Sequence, residues 1–223
     1  MDLPFDIRQF LEVFKSYNQA IWPSQLVFLL LALIAVFIII WKPMVSGKII
    51  PIILALLWLW GGVYHLLFFP AINEAANIFG LLFILQGILF LRYGLLASQV
   101  FELKKDVYGI TAATLIAYAL VAYPVIGLYA EHTYVYAPTF GLPCPTTIFT
   151  FGILVLSRRR LPLYMLLIPF AWAITGFAAA LKLSIYEDTG VIISAILLCV
   201  SNLIKHENNS KFYQYAIGKI AKV

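Results

Sequence analysis

Between Tyr17 and Trp41 the chain runs 25 residues without an Asp, Glu, Lys or Arg, and most of those residues are apolar. An uncharged apolar stretch of about 18 residues or more reads as a membrane-crossing helix. Six further uncharged stretches follow, so the whole chain is organised around this one pattern. Only 11% of the residues are charged and 63% are hydrophobic, with a mean hydropathy of +0.97. A soluble domain carries about 25% charged residues. The composition therefore excludes a soluble globular domain, a disordered chain and a nucleic-acid-binding domain.

The stretches predict seven spans. Span 1 covers Trp22 to Trp41, span 2 Ile49 to about Phe69, and span 3 Ala75 to Leu91 with room to continue past Arg92. Span 4 lies between Asp106 and Glu131, and span 5 ends at Ser157. Span 6 lies between Arg160 and Lys182, and span 7 between Asp188 and Lys205. The predicted fold class is all-α: a polytopic transmembrane helix bundle. It forms one membrane domain, with an interfacial helix over 1–20, the bundle over 22–204 and a basic tail over 205–223.

Basic residues orient such a bundle, because cytoplasmic loops collect Lys and Arg. Twelve fall on one set of loops, among them Arg92, Arg158, Arg159, Arg160 and Lys205. Only Arg8, Lys15 and Lys182 fall on the other set. Net charge is then +9 on one side and −4 on the other. The N-terminus is expected outside and the C-terminus in the cytoplasm, which makes the pI near 9.1 a topology signal. The lysines and aromatics after Lys205 suit an anionic inner leaflet. The opening MDLPFDIRQF has acids where a leader has bases, so span 1 is expected to act as the targeting signal.

Ile7, Phe10, Leu11 and Phe14 share one helical face. Asp6 can cap that helix, with Gln9 completing a capping box and Phe5 and Phe10 at the staple positions. This amphipathic helix is expected to lie in the outer interface and to lid whatever opens there.

The segment PTFGLPCPTTIFTFGILVLSRRR, from Pro138 to Arg160, breaks the pattern. The residue before a proline avoids helical geometry, and proline suits the first helical position. The helix is therefore expected to start with Pro145 at N1 and Cys144 as N-cap. Pro145 to Ser157 would be about 20 Å long at about 1.5 Å per residue, against about 30 Å of hydrocarbon. Thr139 to Cys144 must make up the difference in non-helical form. Irregular backbone at that depth is buried in protein or lines a wet cavity, so an outward-facing pocket or re-entrant segment is expected here.

Helix-start N–H groups and the dipole would point into that pocket, and a cysteine there has its thiolate stabilised. Thr146 and Thr147 add hydroxyls. His65, Asn73, Glu131 and His132 converge from the same side. Thiolate, imidazole and carboxylate suit a soft or borderline metal such as Zn or Cu(I), giving Cys144, His65, His132 and Glu131 as candidate ligands. The plainer reading is that Pro-Cys-Pro starts a helix around a small buried residue. Glu74, Glu131, Glu187 and Asp188 read as solvated loop charges. Gln86, Cys199 and Asn202 read as groups that find partners inside the bundle. Pro124 and Pro169 are expected to kink spans 4 and 6, and no disulfide framework is indicated by Cys144 and Cys199.

WLWGGVYHLLFFPAINEAA (Trp58 to Ala76), PTFGLPCPTTIFTFG (Pro138 to Gly152) and FLEVFKSYNQAIWPSQ (Phe10 to Gln25) resemble the signature segments of a family of uncharacterised prokaryotic integral membrane proteins, a domain-of-unknown-function family. The resemblance implies a multi-pass protein of the bacterial or archaeal cell membrane and brings no activity with it. It places His65, Asn73, Thr139, Cys144, Thr146 and Thr147 in its motif segments.

The functional expectation is a small transporter, permease or accessory membrane subunit, with a small-molecule or ion ligand at the outward pocket. Cys144, His65, Asn73, Thr139, Thr146, Thr147 and Gln86 are its candidate binding residues. The bilayer is the expected partner, and nucleic acid is not. A non-transporting sensor or scaffold is the alternative. A thiol- or metal-dependent intramembrane enzyme is third, with Cys144 as nucleophile and His65 or His132 as base. No lysine stands mid-span 7 for retinal, and no nucleotide or GxSxG motif is present.

Overall fold

The computed structural model describes residues 4–96, 99–129 and 135–220, with backbone alone described at 128–129 and 206–220. All its regular structure among these residues is helical. The helices are α1 (Ile7–Ile21), α2 (Gln25–Trp41), α3 (Pro43–Phe68), α4 (Ala76–Leu96), α5 (Val107–Ala117), α6 (Tyr123–Tyr129), α7 (Pro143–Val155), α8 (Leu167–Leu183) and α9 (Thr189–Ile220). A π-helical turn, Tyr118–Ala122, joins α5 to α6. Among the described residues five helical segments are long and apolar enough to cross a membrane: Pro43–Phe68, Ala76–Leu96, Val107–Gly127, Leu163–Leu183 and Tyr186–Lys205. α1 and α2 pass that test only as a pair, bent by 86°. α7, at 13 residues, is shorter.

The start of α1 follows its sequence. Asp6 Oδ1 accepts from Gln9 N at 2.8 Å, and Gln9 Oε1 accepts from Asp6 N at 2.9 Å. These reciprocal bonds satisfy two groups that a helix start leaves open. Phe5 stacks on Phe10 at 5.7 Å. The buried face of α1 is Val13, Phe14, Tyr17, Asn18 and Ile21, with Ile7, Phe10 and Leu11 half-buried beside it.

α3 and α4 form the tightest pair, and glycine permits it. A Cβ on Gly80 would stand 3.1 Å from Gly62 O, one on Gly87 3.0 Å from Ala55 O, and one on Gly94 3.3 Å from Lys48 O. Both sets recur every seven residues, so two antiparallel helices meet backbone to backbone along one seam. Small residues at such a seam let the two backbones approach closely.

α7 is the centre of the bundle. All of it except Cys144 is buried, and it packs against α3, α5, α8 and α9. Both of its ends therefore meet protein. At the end away from α1, the 99–102 segment lies across it: Arg158 N donates to Val100 O at 2.9 Å and Glu102 N to Leu156 O at 3.3 Å. Phe101 N donates to Ser46 Oγ at 2.8 Å, tying the same segment to α3. Lys205 Nζ donates to Val155 O and Ser157 O, each at 2.7 Å. A crevice of about 160 Å³ opens there between Glu102, Lys104, Asp106, Tyr108, Arg158 and Lys205.

Three expectations are corrected. α7 begins at Pro143, with Leu142 as N-cap, so Cys144 is the second residue of the helix rather than its cap. The N–H groups of the first turn have no intrahelical acceptor, so Pro143 and Pro145 both fit there, and Thr146 N makes the first bond, to Leu142 O at 3.2 Å. Glu187 and Asp188 are not solvated: they are 2% and 5% exposed, because the turn Tyr186–Asp188 folds in against the π-turn of the neighbouring segment. Cys199 is exposed on the outer face of α9 rather than bonded inside.

Candidate functional site

Helix alternation gathers the C-terminal ends of α3, α6 and α8 and the N-terminal ends of α4, α7 and α9 at one end of the bundle. α1 lies over that end. Asn18 fixes it there: its Nδ2 donates to Val135 O and Ala137 O, each at 2.9 Å, and its Oδ1 accepts from Thr139 Oγ1 at 2.9 Å. Beneath it the chain turns at Gly141, whose φ of +104° is a conformation open to glycine. A Cβ there would also strike Phe28, at 2.5 Å.

The turn delivers Cys144 into a group of polar side chains held in apolar surroundings. Asp188 is at its centre. Tyr123 Oη donates to Asp188 Oδ1. Cys144 lies close enough to the same carboxylate for the two side chains to act on each other electrostatically. Tyr118 Oη donates to the Glu187 carbonyl at 2.8 Å. The π-turn makes this possible: its wider winding brings Tyr118 and Tyr123, five apart, onto one face, with ring centroids 6.3 Å apart. Such single π-turns occur often at functional sites.

Three buried polar atoms here have no hydrogen-bond partner among the described residues: Tyr64 Oη, Glu187 Oε1 and Thr146 Oγ1. Trp172 Nε1 also has no hydrogen-bond partner among the described residues, and it lies near the Cys144 sulfur. Buried polar groups are ordinarily paired. Among the described residues, the groups shown to act on the Asp188 carboxylate are Tyr123, Cys144 and Glu187. α7 and α9 pack together, and α9 begins at the residue after Asp188, Thr189.

The residues expected from sequence fall into distinct places. Cys144 is in the cluster. Thr147 Oγ1 donates back to Pro143 O at 2.7 Å, and Thr139 holds α1 through Asn18. His65 is 3% exposed, with its Nδ1 2.9 Å from Gly61 O. Its ring packs on Trp172 at 5.1 Å, so Trp172 touches both His65 and Cys144. Asn73 Oδ1 accepts from Ala75 N at 3.1 Å, bracing the turn into α4. Gln86 Nε2 donates to Met165 O at 3.1 Å, deeper in the bundle, and Asn202 Oδ1 accepts from Leu161 N at 3.1 Å. Glu131 and His132 lie outside the described residues. No group of three or more His, Cys, Asp or Glu side chains suited to a metal ion occurs among the described residues. Sequence reasoning missed Asp188, Tyr123, Tyr64 and Trp172 as members of the site.

A family model covers residues 7–212. The chain belongs to DUF6064, a family of unknown function. The match takes in α1 through most of α9, and with them every residue of the polar cluster. Neither a curated protein nor a solved structure matches the chain.

Proposed function

We propose that this DUF6064 protein is a seven-span protein of the bacterial or archaeal cell membrane, N-terminus outside and C-terminus in the cytoplasm. In this reading it is a small transporter- or permease-like protein, or an accessory membrane subunit, and its ligand site is the outward-facing cluster at Pro143-Cys144-Pro145. Large apolar side chains exposed around the bundle, such as Leu30, Leu81, Ile110, Leu167 and Ile196, support a lipid-facing surface. The one-sided distribution of Lys and Arg supports the orientation.

The observation that carries the site is the burial of Asp188 beside Cys144. A carboxylate at membrane depth is expensive and marks a ligand or ion pathway by default. The unpartnered Tyr64 and Glu187 atoms nearby supply a donor and an acceptor for an incoming group. A soft-metal ligand stays within this proposal only if Glu131 or His132 joins Cys144. Elemental analysis of the purified protein beside Cys144→Ser tests that: stoichiometric Zn or Cu lost in the variant supports it, and no metal in either sample removes it.

The pocket itself is tested by thiol labelling in a Cys199→Ser background. A membrane-impermeant maleimide added to intact cells should modify Cys144, and the same reagent added to the medium around inverted vesicles should not. Labelling from the inner side alone would overturn the orientation. Labelling only after denaturation would overturn the pocket. That last result would favour a sensor or scaffold, a reading that α9 also supports: one helix of 32 residues runs from Thr189, beside Asp188, into the basic tail.

A further inference from the structure

The crevice at the C-terminal end of α7 lies at the opposite end of that helix from Cys144. It holds about 160 Å³ between Glu102, Lys104, Asp106, Tyr108, Arg158 and Lys205. Main-chain bonds fix its walls: Glu102 N donates to Leu156 O and Arg158 N to Val100 O. Its two carboxylates are already engaged. Asp106 Oδ1 caps α5 by accepting from Gly109 N at 2.9 Å, and Glu102 pairs with Lys104 at 3.0 Å. The cations are not matched in the same way. The ion pairs among the described residues are Lys15–Glu12 and Lys104–Glu102, so Lys205 and Arg158 stand in none. Lys205 Nζ donates to Val155 O and Ser157 O, which are neutral. An ammonium has three N–H donors, so one is left over, and the charge is left whole. Three cations against two carboxylates leave the lining one positive charge.

We infer that this crevice seats the phosphodiester of an anionic phospholipid, with the Arg158 guanidinium and the remaining Lys205 N–H as its donors. The inference rests on the membrane reading above and concerns a second site. A phosphodiester carries one negative charge, which matches the lining. A guanidinium suits phosphate oxygens because its fork can meet two of them at once. A cavity of about 150 Å³ takes a molecule of benzene's size, so the crevice has room for one phosphate group. What favours a lipid over a free anion is the border of the crevice. Val107, beside Tyr108, is 69% exposed, and Ile204, beside Lys205, is 43% exposed. The charged lining therefore meets the apolar surface of α5 and α9, as the phosphate of a phospholipid meets its acyl chains. Basic pockets between helices on the cytoplasmic side are suited to such headgroups.

The test is native mass spectrometry of the full chain released from detergent, with phosphatidylglycerol or phosphatidylcholine added at equal concentration. One phosphatidylglycerol per chain should be retained in preference to phosphatidylcholine. Arg158→Gln should weaken that retention roughly tenfold, the scale of one charge-assisted hydrogen bond. Arg160→Gln, two residues along and outside the crevice lining, should leave it unchanged. Glu102→Gln, which removes a carboxylate and frees Lys104, should tighten it, a gain that misfolding cannot produce. An unchanged melting temperature shows that Arg158→Gln has folded, since its side chain is exposed. Equal retention of the two lipids, equal losses in Arg158→Gln and Arg160→Gln, or no gain in Glu102→Gln would overturn the inference. Displacement of the lipid by an equal concentration of inorganic phosphate would overturn the lipid assignment in favour of a free anion. Thiol labelling of Cys144 reads the other end of α7, so either site can fail while the other stands.

Discussion

Replacing Lys205 by Met should unfold the chain early, although Lys205 sits near the end of an apolar stretch and looks like a topology marker. Its Nζ donates to Val155 O and Ser157 O at 2.7 Å each, closing the last turn of the central helix. It also stands 5.2 Å from the Tyr108 ring. A hydrogen bond from a charged group contributes about 1.5–3 kcal/mol, and a cation at a helix C-terminus adds about 0.3–1 kcal/mol. Lys205 is half-buried, so the lower ends apply, and the Met stem keeps the packing of the lysine stem. A net loss of about 3 kcal/mol follows, or a fall in apparent Tm of roughly 6–12 °C for a chain of this size. The assay is thermal unfolding of the purified protein by tryptophan fluorescence, with Lys104→Met as the control. Lys104 pairs with Glu102 at 3.0 Å but is 56% exposed, and such pairs contribute under about 1 kcal/mol. If Lys205→Met and Lys104→Met melt together, the last carbonyls of α7 are satisfied by water in the crevice, and the capping argument is wrong.

Asn18→Ala removes three hydrogen bonds from the α1 lid, about 2–4 kcal/mol at about 1 kcal/mol each. The impermeant-maleimide rate at Cys144 should rise by roughly a hundredfold, and an unchanged rate would show that α1 does not cover the site. In Gly87→Ala the new Cβ meets Leu59 Cγ at 2.7 Å and Ala55 O at 3.0 Å. It should destabilise by about 1–3 kcal/mol, whereas Leu81→Ala on the exposed face should stay within about 0.5 kcal/mol; thermal unfolding reads both. Trp58 Nε1 donates to Thr150 Oγ1 at 3.0 Å in the core, so Trp58→Phe and Thr150→Val should each lose about 1–2 kcal/mol. The double variant should lose less than their sum, and strict additivity would mean the bond contributes nothing.

Local rules were legible where one residue decides the outcome. The Asp6–Gln9 capping box and the Phe5–Phe10 staple form as their spacing predicts. The two prolines of Pro143-Cys144-Pro145 mark a helix start, but they do not fix its register: both fit the first turn, and the earlier one is N1. The α3–α4 seam was readable in principle. Gly80, Gly87 and Gly94 recur every seven residues, and Gly62 and Ala55 recur with the same spacing on the facing helix. A search for long repeats passes over it, because the repeat belongs to a pair of helices rather than to the chain.

Asp188 was hidden for a different reason. Hydropathy reading uses an acid to end a span, on the premise that a span's neighbour is lipid and its end is water. At α7 that premise fails. The helix is short and central, so both ends finish among other helices, and whatever lies level with its N-terminus is enclosed as well. Glu187 and Asp188 lie level with it because α9 starts there and packs on α7. Their burial thus follows from the shortness of α7, which the sequence does show in Pro143 and Pro145 at one end and Pro162 beyond the other. The further ingredient is the π-turn Tyr118–Ala122, which swings Tyr123 onto the carboxylate. Pro124 predicts a kink, and the distortion lies just before it, in a turn that hands one tyrosine to the Glu187 carbonyl and the other to Asp188. A short central helix and an acid at the start of the helix packed on it are together a readable sign of an enclosed charge, and neither is one alone.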